Sequence, residues 1–179
     1  IIDAEGDIHN VPDLYLKQMS YAKVVNHIYM HEQKAYLSMT FGIIVLDMQK
    51  REIQDTYFLG GEGMAVDVKS TTILGDSIYA LSSNSLYVAS MQSNLMDYAS
   101  WQATPLPKGT DAKDLCVYDN NLYMVRDSTL WMNSDSEWQV CKTSFFVEGI
   151  CPTDKELFIL PKDMTGVSLL GTDSLIWQE

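Results

Sequence analysis

His27 and His31 stand four residues apart with Glu32 adjacent, a spacing that on a helix would turn two imidazoles toward one metal ion. Their neighbours argue otherwise. Val25-Asn26-His27-Ile28-Tyr29-Met30 reads as a strand and Glu32-Gln33-Lys34 as a polar turn, so no helical face brings the rings together. His9 belongs to a different segment. Asn133-Ser134-Asp135-Ser136-Glu137-Trp138 alternates oxygen-bearing side chains as a calcium loop does, but it lacks the glycine and the length of an EF-hand. It reads instead as a hairpin turn capped by Asp135, with Trp138 packed beneath. Gly60-Gly61-Glu62-Gly63 has neither a following Lys-Ser/Thr nor a helix to receive a phosphate, and reads as a turn between two repeats.

Nucleophiles and acid–base pairs fare no better. No serine sits in a G-x-S-x-G setting, and no cysteine has an evident His partner. Asp76, Asp119 and Asp154 recur along the chain, but they fall in the turns after strands, where Asp is expected for its backbone hydrogen bonding. A glycan-active enzyme would need carboxylates on the strands themselves, converging at one place. The sequence therefore marks no catalytic, cofactor-binding or metal-ligating residue, and the expectation is a protein that is not an enzyme and takes no cofactor.

Composition narrows the partners. With 24 acidic against 12 basic residues the formal charge is −12, which repels phosphate backbones and speaks against nucleic acid. Cys116, Cys141 and Cys151 are odd in number and lack zinc-ligand spacing. Cys116 and Cys151 lie in apolar runs and are expected to be buried, reduced core residues. One disulfide among the three stays open, and they do not identify a compartment. No apolar run is long enough to span a membrane.

The elements that would position any site come from a repeat. Tyr36 is followed seven residues on by Ile43-Ile44-Val45, Tyr79 by Leu86-Tyr87-Val88, and Tyr123 by Leu130-Trp131-Met132. These tyrosines are 43 and 44 residues apart, the length of a four-stranded propeller blade. Short β-rich runs divided by polar turns give an all-β chain of about four antiparallel blades at 24–59, 71–103, 115–140 and 147–177. Residues 1–13 read as a half blade, a hairpin around Glu5-Gly6. Phe158 replaces the tyrosine in the fourth unit, and Lys162-Asp163-Met164-Thr165 lengthens its turn. The insert 90–100 is expected to hold one helical turn near residues 94–98. Tyr57, Trp101, Trp138 and Trp177 recur once per unit and are expected to wedge between blades rather than to form a sugar-stacking platform. Both ends read as cut through structure. An arc of blades excised from a larger ring would expose two faces, and such a piece is expected either to close on itself or to pair with a second copy.

Two stretches go beyond generic propeller pattern. Ala35-Tyr36-Leu37-Ser38-Met39-Thr40-Phe41-Gly42-Ile43-Ile44-Val45-Leu46-Asp47, followed by Glu52-Ile53-Gln54-Asp55-Thr56-Tyr57, resembles the N-terminal propeller of PorZ-type proteins of the type IX secretion machinery in Bacteroidetes-group bacteria. Asn10-Val11-Pro12-Asp13-Leu14 before it, and Ser77-Ile78-Tyr79-Ala80 with Asn94-Leu95-Met96-Asp97-Tyr98 and Trp101 after it, extend the resemblance to about residue 105. The resemblance implies a non-catalytic scaffold at the cell envelope, outer-membrane associated, in a complex with a sortase-like protease and an outer-membrane barrel. Contact with anionic lipopolysaccharide would belong to a separate domain of such a protein. The matched residues are strand and turn signatures, so no site is implied by them. The alternatives are a periplasmic sensor propeller of a hybrid two-component regulator, whose repeats carry a Trp-Ile-Gly-Thr phrase that Tyr36-Leu37-Ser38-Met39 lacks, and a glycan-active propeller enzyme.

Overall fold

The computed structural model describes residues 1–2, 6–12, 21–134, 137–163, 166–171 and, for backbone only, 175–176. Four antiparallel four-stranded sheets form a propeller, each built from consecutive strands in simple up-and-down order. Blade 1 comprises β1 (Val25–His31), β2 (Lys34–Met39), β3 (Gly42–Asp47) and β4 (Glu52–Tyr57). Blade 2 comprises β5 (Ser70–Leu74), β6 (Ser77–Leu81), β7 (Ser85–Ser90) and β8 (Gln102–Pro105). Blade 3 comprises β9 (Ala112–Tyr118), β10 (Asn121–Arg126), β11 (Thr129–Ser134) and β12 (Glu137–Val140). Blade 4 comprises β13 (Val147–Pro152), β14 (Leu157–Pro161), β15 (Val167–Leu169) and β16 (Leu175–Ile176).

The repeated tyrosine marks one register position. Tyr36 pairs with Val45, Tyr79 with Val88 and Tyr123 with Met132 across the second hairpin of each blade. Phe158 pairs with Leu169, two residues further on, because the β14–β15 turn is longer. Side chains alternate between sheet faces, so this register sorts the core into seams. Tyr36, Ile43, Val45 and Tyr57 of blade 1 meet Ile78, Ala80 and Ala89 of blade 2. Leu81 and Leu86 meet Leu122 and Met124, and Tyr123, Val125 and Leu130 meet Leu157 and Ile159. Burying one such side chain contributes roughly 1.5–3 kcal/mol, so each seam can carry the stability that a lone sheet lacks.

The far face of blade 1 is covered only in part. Ala35, Leu37, Met39, Phe41 and Ile44 are buried there with Val11, and Tyr21 stacks on Phe41. Ile28 and Met30 of β1, on the same face, remain 56% and 53% exposed. Near the N-terminus, Ile2 and Ile8 form an antiparallel bridge closed by the His9 N–H donating to the Ile1 carbonyl at 2.8 Å. The expected turn at Glu5 lies outside the described residues. At the other end, Leu160 on the outward face of blade 4 is 46% exposed.

Two local expectations need correction. The helical turn expected near 94–98 forms instead as a 3-10 turn over Tyr98–Ser100, because the Asp97 carboxylate caps the Ala99 N–H at 3.0 Å. Cys116 is buried as expected, but Cys151 is exposed. Cys116 pairs with Tyr123 and Cys151 with Phe158, so the two thiols occupy the same register position. Blade 4 packs against that face of blade 3, whereas Cys151 and Leu160 on the equivalent face of blade 4 are exposed. All three thiols are free.

Candidate functional site

The first strand of each blade lines the axis, and β1 meets β5, β5 meets β9, and β9 meets β13 in turn. These strands carry apolar residues toward the seams, so a polar group among them must find a partner or bear a desolvation cost. Each seam holds such a link. The Ser38 and Thr71 hydroxyls hydrogen-bond at 2.8 Å, both buried. The buried Ser70 hydroxyl donates to the Leu115 carbonyl at 3.1 Å. Asp114 on β9 accepts the Ile150 N–H of β13 at 3.0 Å and the Leu115 N–H at 3.1 Å.

Asp114 and His27 open onto one cavity of about 400 Å³, walled also by Tyr29, Thr72, Cys116 and Ile150 and rimmed by Asp154. Burial pushes the Asp114 carboxyl above its ordinary range, partly offset by the two backbone N–H groups. Burial lowers the His27 pKa, and the Asp114 charge only partly restores it, so the ring is neutral at neutral pH. Among the described residues its buried Nδ1 has no hydrogen-bond partner.

The family model described as the N-terminal β-propeller domain of PorZ, of the type IX secretion system, matches residues 1–102. The chain belongs to the PorZ N-terminal β-propeller family. A solved structure of PorZ, an essential bacterial surface component of the type IX secretion system of Porphyromonas gingivalis, is 25% identical with a TM-score of 0.76. That match covers 90% of this chain but only 22% of that one, so the chain spans under a quarter of this relative's length. The extracellular domain of a putative hybrid two-component system from B. thetaiotaomicron is 14% identical over 75% of this chain and 19% of its own, with a TM-score of 0.55. A computationally designed protein, Ika4, is 12% identical over 87% of this chain and 96% of its own, at 0.54. Both likenesses concern fold alone. No curated protein sequence matches the chain.

In this PorZ-type propeller the described motif residues lie in strands, turns and blade seams. Gly42 of the Phe-Gly-Ile phrase lies at φ +150°, where a Cβ would overlap the Tyr57 carbonyl oxygen. Tyr57 and Trp101 are 6% and 7% exposed with ring centroids 6.2 Å apart, the expected wedge between blades. Trp138 is half-buried at the seam of blades 2 and 3, and Trp177 lies outside the described residues.

The other sequence candidates do not converge. His27 and His31 share a face of β1, yet four residues of strand set them about 13 Å apart. His31 stacks on Tyr29, and His9 meets Arg51 at 2.8 Å. Among the described residues no three His, Cys, Asp or Glu side chains cluster as a metal site, and no helix is long and apolar enough to cross a membrane. Asn133 and Trp138 pair across the β11–β12 hairpin, whose Asp135-Ser136 turn lies outside the described residues. Gly61–Gly63 forms a short 3-10 turn between blades 1 and 2, with the Gly63 N–H donating to the Gly60 carbonyl at 3.0 Å. Asp76 and Asp119 occupy hairpin turns, and Asp119 and Asn120 take the positive φ such turns demand.

Sequence reasoning missed Asp114 and Arg126. Arg126 is a buried cation whose guanidinium donates to the Ser83 and Gly109 carbonyls, both at 2.6 Å, and so ties blade 3 to blade 2. The available signal was a charge inside an apolar strand: Asp114 before Leu-Cys-Val, and Arg126 after Tyr-Met-Val.

Proposed function

We propose that this chain is part of a non-catalytic interaction propeller in a type IX secretion attachment complex. It would act at the outer-membrane-associated cell envelope, with a sortase-like protease and an outer-membrane barrel as its protein partners. The observation that carries this reading is family membership over residues 1–102, supported by a quarter identity to a PorZ structure across most of the chain. Contact with anionic lipopolysaccharide is assigned to another domain of a PorZ-like protein. Blade faces and loops are the contact surfaces in this reading. Ile28 and Met30 on blade 1 and Leu160 on blade 4 are among the exposed apolar side chains, and through them the isolated chain pairs with a second copy. The sensor alternative draws on fold likeness alone and has no observation of its own.

The test is co-purification of the tagged full-length parent from detergent-solubilised outer membranes, with partners identified by mass spectrometry. Recovery of a sortase-like protease and an outer-membrane barrel is expected. Recovery of neither, with a kinase domain on the same polypeptide, replaces the scaffold by the sensor.

A further inference from the structure

The axial cavity has the volume of a small-ligand site, and its charged groups are of one sign. Asp114 and Asp154 supply carboxylates, Thr72 a hydroxyl, and His27 a neutral ring, while among the described residues no Lys or Arg lines the wall. Each Asp114 oxygen accepts a single backbone N–H, so each keeps a lone pair. Lys113, next along the strand, is engaged with Glu148 at 2.8 Å, and among the described residues no cation forms an ion pair with Asp114.

These observations exclude most ligand classes. An anion would meet two carboxylates with nothing to offset them. A purely apolar ligand would strip water from Asp114 and leave its lone pairs unmet. A group with N–H donors and a positive charge satisfies the Asp114 carboxylate, and the Tyr29 ring is a suitable wall for it. The net charge of −12 raises the local concentration of cations at a concave acidic mouth.

We propose that the axial cavity walled by His27, Tyr29, Thr72 and Asp114 binds an organic ammonium or guanidinium group. The group can belong to a free amine or to a Lys or Arg side chain of a partner. This inference stands on the cavity alone and does not depend on the secretion reading.

The full chain, labelled with 15N, is titrated with butylammonium chloride and separately with the end-blocked peptide Gly-Lys-Gly, following the His27 ring resonances. A saturable shift is expected with one or both probes. Response to the peptide alone identifies a partner's side chain, and equal response identifies the amine itself as sufficient. Asp114→Asn is expected to weaken binding about tenfold, the scale of losing one charge-assisted contact. Tyr29→Leu removes the aromatic wall, tests the same cavity if Asp114→Asn does not fold, and is expected to weaken binding severalfold. Acetate should leave the resonances unmoved. No saturable shift with either probe overturns the proposal, as does binding that both variants retain in full.

Discussion

The Asp114 carboxylate on β9 accepts the backbone N–H of Ile150 on β13 at 3.0 Å, so one side chain fixes where the fourth blade begins against the third. The contact is a charged acceptor inside an otherwise apolar seam. It holds the strand register, and it costs desolvation whenever the carboxyl is ionised.

That cost gives Asp114 a signed pH dependence. Burial raises its pKa in the folded protein above the unfolded value, so the folded state binds the proton more tightly. Its contribution to stability is therefore fully present below the unfolded pKa and is lost as pH rises through the folded one. Asp114→Asn keeps an acceptor for Ile150 without the titration. Thermal melts of the two proteins should diverge with pH, the wild type gaining relative to the variant as pH falls from neutrality toward the ordinary carboxylate range. A gap that stays constant, or that grows in the other direction, refutes the assignment.

Gly42 is needed for its missing side chain. Its φ of +150° and the Tyr57 carbonyl beside it leave no room for a Cβ between β3 and β4. Gly42→Ala is expected to destabilise the protein by about 3 kcal/mol, combining backbone strain with overpacking. Urea denaturation measures this directly. An alanine variant within about 0.5 kcal/mol of wild type, the range of neutral surface changes, would mean that the strand pair opens without penalty.

How much of this could be read beforehand divides along one physical line. Blade register was legible because it depends on alternation within a hairpin: Tyr36, Tyr79 and Tyr123 declare it through neighbours only nine positions away. Phe158 broke the pattern only where turn length changed, and the added turn residues were themselves visible. Asp114 and Arg126 were illegible because their partners, Ile150 and Ser83, lie 36 and 43 residues away on other blades. Cys151 was misread for a related reason. Its apolar neighbours say that it sits in a strand, but burial depends on whether another blade covers that face.

Trp101 distinguishes packing from recognition. Its indole N–H donates to the Leu95 carbonyl at 3.0 Å and its ring meets Tyr57, inside the seam of blades 1 and 2. Trp101→Ala should cost about 3–5 kcal/mol, as large core truncations do. Trp101→Phe keeps most of the apolar contact, forfeits the hydrogen bond, and should cost about 1–2 kcal/mol. Chemical denaturation of the pair measures both, and a glycan array on the Phe variant gives the contrast. Loss of sugar binding with stability retained would restore the stacking-platform reading.

Leu160 and Ile28 test what the uncovered blade faces do. Phe158, Leu160 and Val167 wall a hollow of about 330 Å³ on the outward face of blade 4, in the positions that on blade 3 receive the next blade. Exposed apolar surface of this kind is stabilised when a second surface covers it. The isolated chain is expected to self-associate in sedimentation velocity, with the weight-average mass rising as concentration increases. Leu160→Asp combined with Ile28→Asp should return it to a monomer while leaving the melting temperature within a few degrees, because both side chains are already about half exposed. A wild-type chain that stays monomeric as concentration rises would show that these faces do not mediate self-association.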